Sequence, residues 1–330
     1  MRVRISQLNH LVKKAIRYYG YNQSETKTIF DILMYAQLRG NNQGIVKLIG
    51  KGIPKNPKEG KIKVVKQTKL SARLDGRQNM GMIAVSKAVE MALKKAKQHG
   101  FGIVGTFNTA SSTGAIGYYA QKIAQKGMIG FVFAGSPPTV TTHGSYEPLF
   151  GTNPLAIGIP SATQPIVLDM ATAAMAYFGL VQAKTAGKKI PGDVAYDSKG
   201  KLTTDPGKAM DGAILPFDRN YKGAGLALVV QALCGPLVGG GFIDNDQTDT
   251  NWGNLVFVID PDLLGNRQTF KAKMTKLMRR VKKAKKLKGV KEIYLPGERG
   301  NSLAAKRLKS GYIEVENNLY HALETVVANA

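Results

Sequence analysis

The segment "GTNPLAIGIPSATQPIVLDMATAA", residues 151–174, decides how this chain folds. It holds two short apolar runs, "NPLAIGIP" and "PIVLDM", marked off by prolines and too short for a buried helix, so both read as β-strands. The second run carries Asp169 near its end, and the residues after Met170 are small. A carboxylate in that position either caps the next helix or stands where a flat ligand reaches the backbone.

Working outward toward the N-terminus, "MIGFVFAG" reads as a further strand, preceded by the helix "IGYYAQKIAQKG". Before these come the strand "FGIVGTF", a helix from about Met80 to Gln98, and the strand-like runs "KIKVVKQT" and "LSARLDG". The first fifty residues read as two helices, Ser6 to Tyr19 and Ser24 to Leu38. Ser24 serves as N-cap of the second, and Ile29, Ile32, Leu33 and Ala36 form its apolar stripe. Toward the C-terminus, residues 187–218 are punctuated by Pro-Gly, Ser-Lys-Gly and Asp-Pro-Gly and are expected to wrap the surface. An apolar helix near Leu226 to Leu233, the strand "NLVFVID", a basic helix and the final helical run "VENNLYHALETVVANA" complete the chain. The pattern is α/β. It is divided here into an N-terminal helical or substrate part (1–75), a mixed-sheet domain (76–260) and a C-terminal helical part returning to the first (261–330).

The chain has 330 residues, 43% of them hydrophobic, enough for two or three packed units. Cys234 is the only cysteine, which excludes an internal disulfide, and the first twenty residues lack a continuous apolar run of the signal-peptide kind. A cytoplasmic protein is expected. The segment from Gly223 to Phe242 is interrupted by glycines, a proline and Gln231, and reads as a buried helix followed by a Gly-rich turn rather than a membrane span. The formal net charge of +25 is concentrated in "KAKMTKLMRRVKKAKKLKG", Lys271 to Gly289. There Phe270, Met274, Leu277, Met278, Val281 and Ala284 recur at helical spacing, so one face is expected to be buried and the lysines to face water. A patch for nucleic acid or an acidic surface is the other reading. No RNA-binding aromatic signature, zinc-finger spacing or basic zipper accompanies the charge, so nucleic acid is not expected as a partner; with no segment read as a span, a membrane is not expected either.

The common nucleotide fingerprints are missing: no G-x-G-x-x-G follows a strand, and no P-loop occurs. His10, His99, His143 and His321 have no metal-ligand spacing, and no metal is expected. Two polar loops remain beside that of Asp169. "NYKGAG" sets Lys222 before two glycines and an apolar helix, where a cation and helix N–H groups meet a phosphate. "PGERG" couples a turn to Glu298 and Arg299, whose planar fork suits carboxylate or phosphate.

In chain order, "EPLFGTNPLAIGIP", "PIVLDMAT", "KTAGKKIPGDVAYDSKGKLTTDP", "GAILPFDRNYKGAGLAL" and "LPGERG" together resemble the malate/L-lactate dehydrogenase family of NAD(P)-dependent oxidoreductases. This family lacks the Rossmann fold and includes ureidoglycolate and sulfolactate dehydrogenases, diketogulonate reductase and piperideine-carboxylate reductase. The resemblance implies a mixed-sheet NAD-binding fold with an N-terminal helical part, and a homodimer with the cofactor, NAD or NADP, near the subunit interface. It also places Ser136, Asp169, Met170, Ala171, Lys222, Gly223, Gly297, Glu298 and Arg299 where the family contacts its dinucleotide.

The chain departs from the family at two places. Aligned back from Gly117-Tyr118-Tyr119, the loop "NTASSTGAIGYYA" (108–120) carries Ser112 where the family has a proton-transfer histidine. In "LRGNNQGIVKL", Gln43 stands at the second family histidine, Asn42 at a serine and Lys47 at an arginine, with one residue fewer between Arg39 and Gly44. Neither a hydroxyl nor an amide titrates near neutral pH, and losing general acid–base help costs about 10²- to 10⁴-fold.

Three routes remain open. His143, in "TTHGSYEPLFGTNP", or Lys47 with its pKa lowered by burial supplies the proton; for His143 the other reading is a structural loop residue. Alternatively the substrate is an imine, which arrives already protonated, or the chemistry has been lost. The expected activity is hydride transfer between nicotinamide and a small 2-oxo/2-hydroxy acid or 2-imino acid. Gln43, Lys47, Ser112 and His143 are the catalytic candidates, Lys47 or Arg39 holds the substrate carboxylate, and Asp169 polarises a water. The alternative is a catalytically altered or inactive family member that binds or regulates through its basic surface.

Overall fold

A computed structural model describes residues 1–241 and 251–328. The chain opens with strand β1 (Arg2–Arg4), helices α1 (Ile5–Tyr18) and α2 (Gln23–Leu38), and a 3-10 turn at Ile45–Leu48. Strands β2 (Lys63–Gln67) and β3 (Ser71–Asp75), helix α3 (Gly81–His99), strand β4 (Phe101–Thr109), helix α4 (Gly117–Gln125) and strand β5 (Ile129–Ala134) follow. Next come β6 (Leu155–Ile159), β7 (Ile166–Met170) and α5 (Tyr177–Thr185), then β8 (Ala195–Tyr196), α6 (Pro206–Met210), β9 (Ala213–Ile214) and α7 (Tyr221–Cys234). Strand β10 (Trp252–Ile259), α8 (Arg267–Lys282), α9 (Glu298–Ser310), β11 (Tyr312–Glu314) and α10 (Asn317–Ala328) complete it. The far end of the expected Gly-rich turn, Phe242, and the last two residues of the final helical run lie outside the described residues.

Seven strands form one mixed sheet in the order β2-β3-β4-β10-β5-β6-β7, in which only β3 and β4 run parallel. The two runs that opened the sequence reading are β6 and β7, paired antiparallel from Leu155↔Met170 to Ile159↔Ile166. Side-chain alternation divides β5 between two layers. Val132 and Ala134 join the main core with α3 and α4, while Phe133 packs under α7 with Leu155, Val230 and Cys234. Glycines let the helices approach: a Cβ at Gly158 would collide with the Ala120 carbonyl of α4, and one at Gly253 with the Cys234 carbonyl of α7. The main core runs on into α1, α2 and α10, and β1 pairs with β11, so both chain ends close against one another.

Four local expectations are corrected. Asn22, not Ser24, caps α2: its side chain accepts the Glu25 N–H (3.0 Å) and its own N–H is accepted by Glu25 Oε2 (2.8 Å), because the helix begins one residue before Ser24. Helix α7 is not buried all round, since Leu228 and Val229 are 56% and 54% exposed on the side turned away from the sheet. Residues 187–218 do more than wrap the surface: Ile190, Val194, Ala195, Ala209 and Ile214 build a second small core with Val140, Phe150 and Leu180. The apolar stripe of α8 is only partly covered. The helix rests on the β6–β7 turn through Thr275, whose Oγ1 accepts the Ala162 N–H (3.0 Å), which turns Leu277 and Val281 outward.

Candidate functional site

A cavity of about 510 Å³ opens where β5 and β7 end and β6 and β10 begin. All four termini fall on one edge because the strands are antiparallel. The start of α5 (Ala176, Tyr177, Phe178) and the loops 41–47, 112–116 and 135–139 close it. Of the residues singled out from the sequence, Gln43, Lys47, Ser112, Ser136, Asp169, Met170 and Ala171 line it together.

Lys47 enters the cavity from the 3-10 turn and is 1% exposed. Its Nζ lies 3.4 Å from the Phe178 ring centroid, and burial holds its pKa well below the usual lysine range. It is the only lysine or arginine lining the cavity among the described residues. Arg39, the other carboxylate anchor expected, is committed elsewhere. Its guanidinium stacks 3.7 Å from the Tyr35 ring centroid and donates to Asn301 Oδ1 (3.1 Å) and the Tyr35 carbonyl (3.1 Å), tying α2 to α9.

Asp169 is the cavity's only acidic residue among those described. Its Oδ2 accepts the Gly117 N–H (3.0 Å) at the start of α4. A Cβ at Gly117 would stand 2.6 Å from that oxygen, so only glycine permits the approach. Burial raises the Asp169 carboxyl to about 6, with the Gly117 hydrogen bond opposing the shift. Ser112 Oγ accepts the Gly114 N–H (3.0 Å), which fixes the loop beside it.

The remaining sequence candidates lie outside this cavity. His143 is exposed on the loop before β6. Lys222 is exposed on the first turn of α7, where the Gly223 N–H donates to Asp218 Oδ1 (3.0 Å). Glu298 is paired with Lys282 (2.6 Å) and accepts the Leu295 N–H (2.9 Å), while Gly297 packs on β7 and Arg299 is exposed. Sequence reasoning missed Phe178, Tyr177 and Thr139. The aromatic pair directly after "DMATAAMA" was the available signal for the first two. Thr139 carried none.

An apolar slot at the strand ends, with one buried amine and one carboxyl that burial raises to about 6, has the form of a small-ligand site on a mixed sheet. Residues 3–324 match the malate/L-lactate dehydrogenase family. The malate/(S)-sulfolactate dehydrogenase of Methanothermus fervidus is 32% identical over 330 residues, covering 96% of this chain and 94% of that one. The pyrroline-2-carboxylate/piperideine-2-carboxylate reductase of Pseudomonas syringae is 31% identical over 256 residues, 75% and 72% of the two chains. The solved sulfolactate dehydrogenase of Methanocaldococcus jannaschii superposes with a TM-score of 0.82 at 31% identity, covering 100% of this chain and 97% of that one. The chain belongs to the malate/L-lactate dehydrogenase family and is an NAD(P)-dependent oxidoreductase.

The cavity is chemically suited to a nicotinamide ring. Pro137, Pro138, Met170 and Ala171 offer apolar and small surfaces, and the buried Thr139 Oγ1 has no hydrogen-bond partner among the described residues. A buried hydroxyl without a partner costs free energy that a carboxamide would recover.

Proposed function

We propose that this protein transfers hydride between NAD or NADP and a small 2-oxo/2-hydroxy acid or 2-imino acid whose carboxylate is anchored by Lys47. The observation that carries this reading is that Lys47, the only cation lining the cavity, has no ion-pair or hydrogen-bond partner for its Nζ among the described residues. A desolvated amine is costly to charge alone, and a substrate carboxylate beside it restores its proton affinity. The site therefore selects for an anionic ligand.

The dinucleotide, when bound, supplies the hydride donor or acceptor. Ser136, Thr139, Met170 and Ala171 are the proposed contacts for its reactive end. Lys222, Gly223, Gly297, Glu298 and Arg299 are assigned by family resemblance to the rest of it. Gln43 and Ser112 orient the substrate, the amide and hydroxyl standing where the family uses histidines. Asp169 holds the exchangeable proton, since its carboxyl titrates near 6 in the same cavity. With an imino acid the proton is already on nitrogen, and ionised Asp169 needs only to balance the iminium charge. His143 is exposed and receives no role in this reading.

We further propose a cytoplasmic location, in keeping with a single cysteine, and a homodimer, supported by the exposed apolar side of α7 and the turn after it, where Tyr221, Leu228, Val229 and Leu237 face outward. The functional test is nicotinamide fluorescence on titration with NADH and NADPH, followed by oxidation against a panel of 2-oxo acids and cyclic imines. Binding with turnover that collapses in Lys47→Met supports the reading; no binding of either dinucleotide at millimolar concentration overturns it.

A further inference from the structure

We propose that α8 and the segment after it form a docking surface for an anionic phospholipid bilayer, on which the helix lies without crossing. From Lys271 to Lys291 the chain carries nine lysines, two arginines and no acidic residue. Within that stretch only Lys282 is neutralised, by Glu292 (2.8 Å) and Glu298 (2.6 Å). The other ten cations form no salt bridge among the described residues.

Charge alone would suit any polyanion, and the exposed aliphatic side chains decide between them. Leu277 and Val281 lie one turn apart, flanked by Lys273, Lys276 and Arg280, and are exposed because α8 is held to the protein through its Thr275 side. Beyond the helix Leu287 is 81% exposed and Val290 also faces water. A helix with aliphatic residues beside a row of lysines matches the headgroup–acyl boundary, where apolar burial and attraction to anionic lipid act together. A site for single-stranded nucleic acid would offer aromatic platforms for the bases. No aromatic residue occurs from Lys271 to Lys291, and the nearby Tyr294 has Lys282 and Arg299 over its ring at 5.7 Å and 5.9 Å. Among the described residues no helix is long and apolar enough to cross a membrane, which leaves adsorption as the mode of contact.

The test is co-sedimentation of the full chain with vesicles of phosphatidylcholine and phosphatidylglycerol in equal parts, against pure phosphatidylcholine. Binding to the mixed vesicles alone, with release by about 0.5 M salt, is expected. A triple variant, K273E/K276E/R280E, should weaken binding at least tenfold, and L277S/L287S, which keeps every charge, should weaken it at least threefold. Both variants should retain the wild-type melting temperature, since their side chains are exposed. The proposal is overturned if mixed vesicles do not bind at low salt, if L277S/L287S binds them as wild type does, or if duplex DNA or poly(A) binds more tightly than they do.

Discussion

The amino nitrogen of Lys47 faces the ring of Phe178 at 3.4 Å from its centroid, and that ring is its only electrostatic partner among the described residues. A cation–π contact in a desolvated setting contributes about 2 kcal/mol, less than the several kcal/mol that burying an unpaired charge costs. The proposed substrate carboxylate would remove that deficit.

Lys47→Met keeps the packed stem and deletes the charge. We expect kcat/KM for 2-oxo acids to fall by about 10- to 100-fold, the worth of one charge-assisted hydrogen bond, with a melting temperature equal to or above wild type. The folded-state pKa lies below 10.5, so wild type loses stability relative to the variant as pH falls through the lowered value. Unchanged KM and kcat across the acid panel would remove Lys47 from the site.

With Asp169 as the proposed proton carrier, the two directions of reaction are expected to show opposite pH limbs. As a base it must be ionised, so oxidation of a 2-hydroxy acid should rise as pH increases through about 6; as an acid it must be protonated, so reduction of a 2-oxo acid should fall over the same interval. Asp169→Asn should flatten both limbs. Stability follows the same group: its folded pKa of about 6 lies above the ordinary aspartate value of 3.8, so its contribution is full below the latter and is lost as pH rises through the former. The loss amounts to about 3 kcal/mol. Denaturant titrations of wild type and Asp169→Asn at acid and neutral pH measure it.

Gly117→Ala tests the close approach of α4 to β7. The new Cβ would stand 2.6 Å from Asp169 Oδ2, forcing the carboxylate off its N–H partner. Destabilisation of about 1–3 kcal/mol is expected, together with a shift of the pH limb assigned to Asp169. A wild-type pH profile in this variant would show that the Gly117 contact does not tune the carboxyl.

Leu228→Glu with Val229→Glu places two charges on the outward side of α7. Light scattering should report a dimer for wild type and a monomer for the double variant, with secondary structure retained because neither side chain packs on the sheet. A monomeric wild type would end the homodimer proposal.

Strand and helix identities were legible because their signals are local. The alternating and short apolar runs became β4 to β7 and β10, and the stripe on α2 became buried. The errors arose where packing decides. Nothing in the local pattern of α8 distinguishes an apolar stripe that meets the sheet from one turned past it, and the N-cap of α2 moved by two residues because Asn22 and Ser24 are both competent caps. At the cavity, Asp169, Ser136, Ser112 and Gln43 were singled out because they lie in contiguous family-like strings, and the fold brings all four to its lining.

The sequence by itself determined the strand-rich middle, the family and the basic helix, because each is written in adjacent residues, and it carries Gln43 and Ser112 where the resemblance implies two imidazoles. Only the tertiary structure decided what surrounds those two positions. It carried Lys47 from a loop near the N-terminus onto Phe178 of α5, across 131 positions, and buried Asp169 against Gly117, 52 positions away. It also sent Arg39 to Asn301 instead of into the cavity. Desolvation depends on what surrounds a group in space, and only the folded sheet fixes which residues from distant segments share one edge.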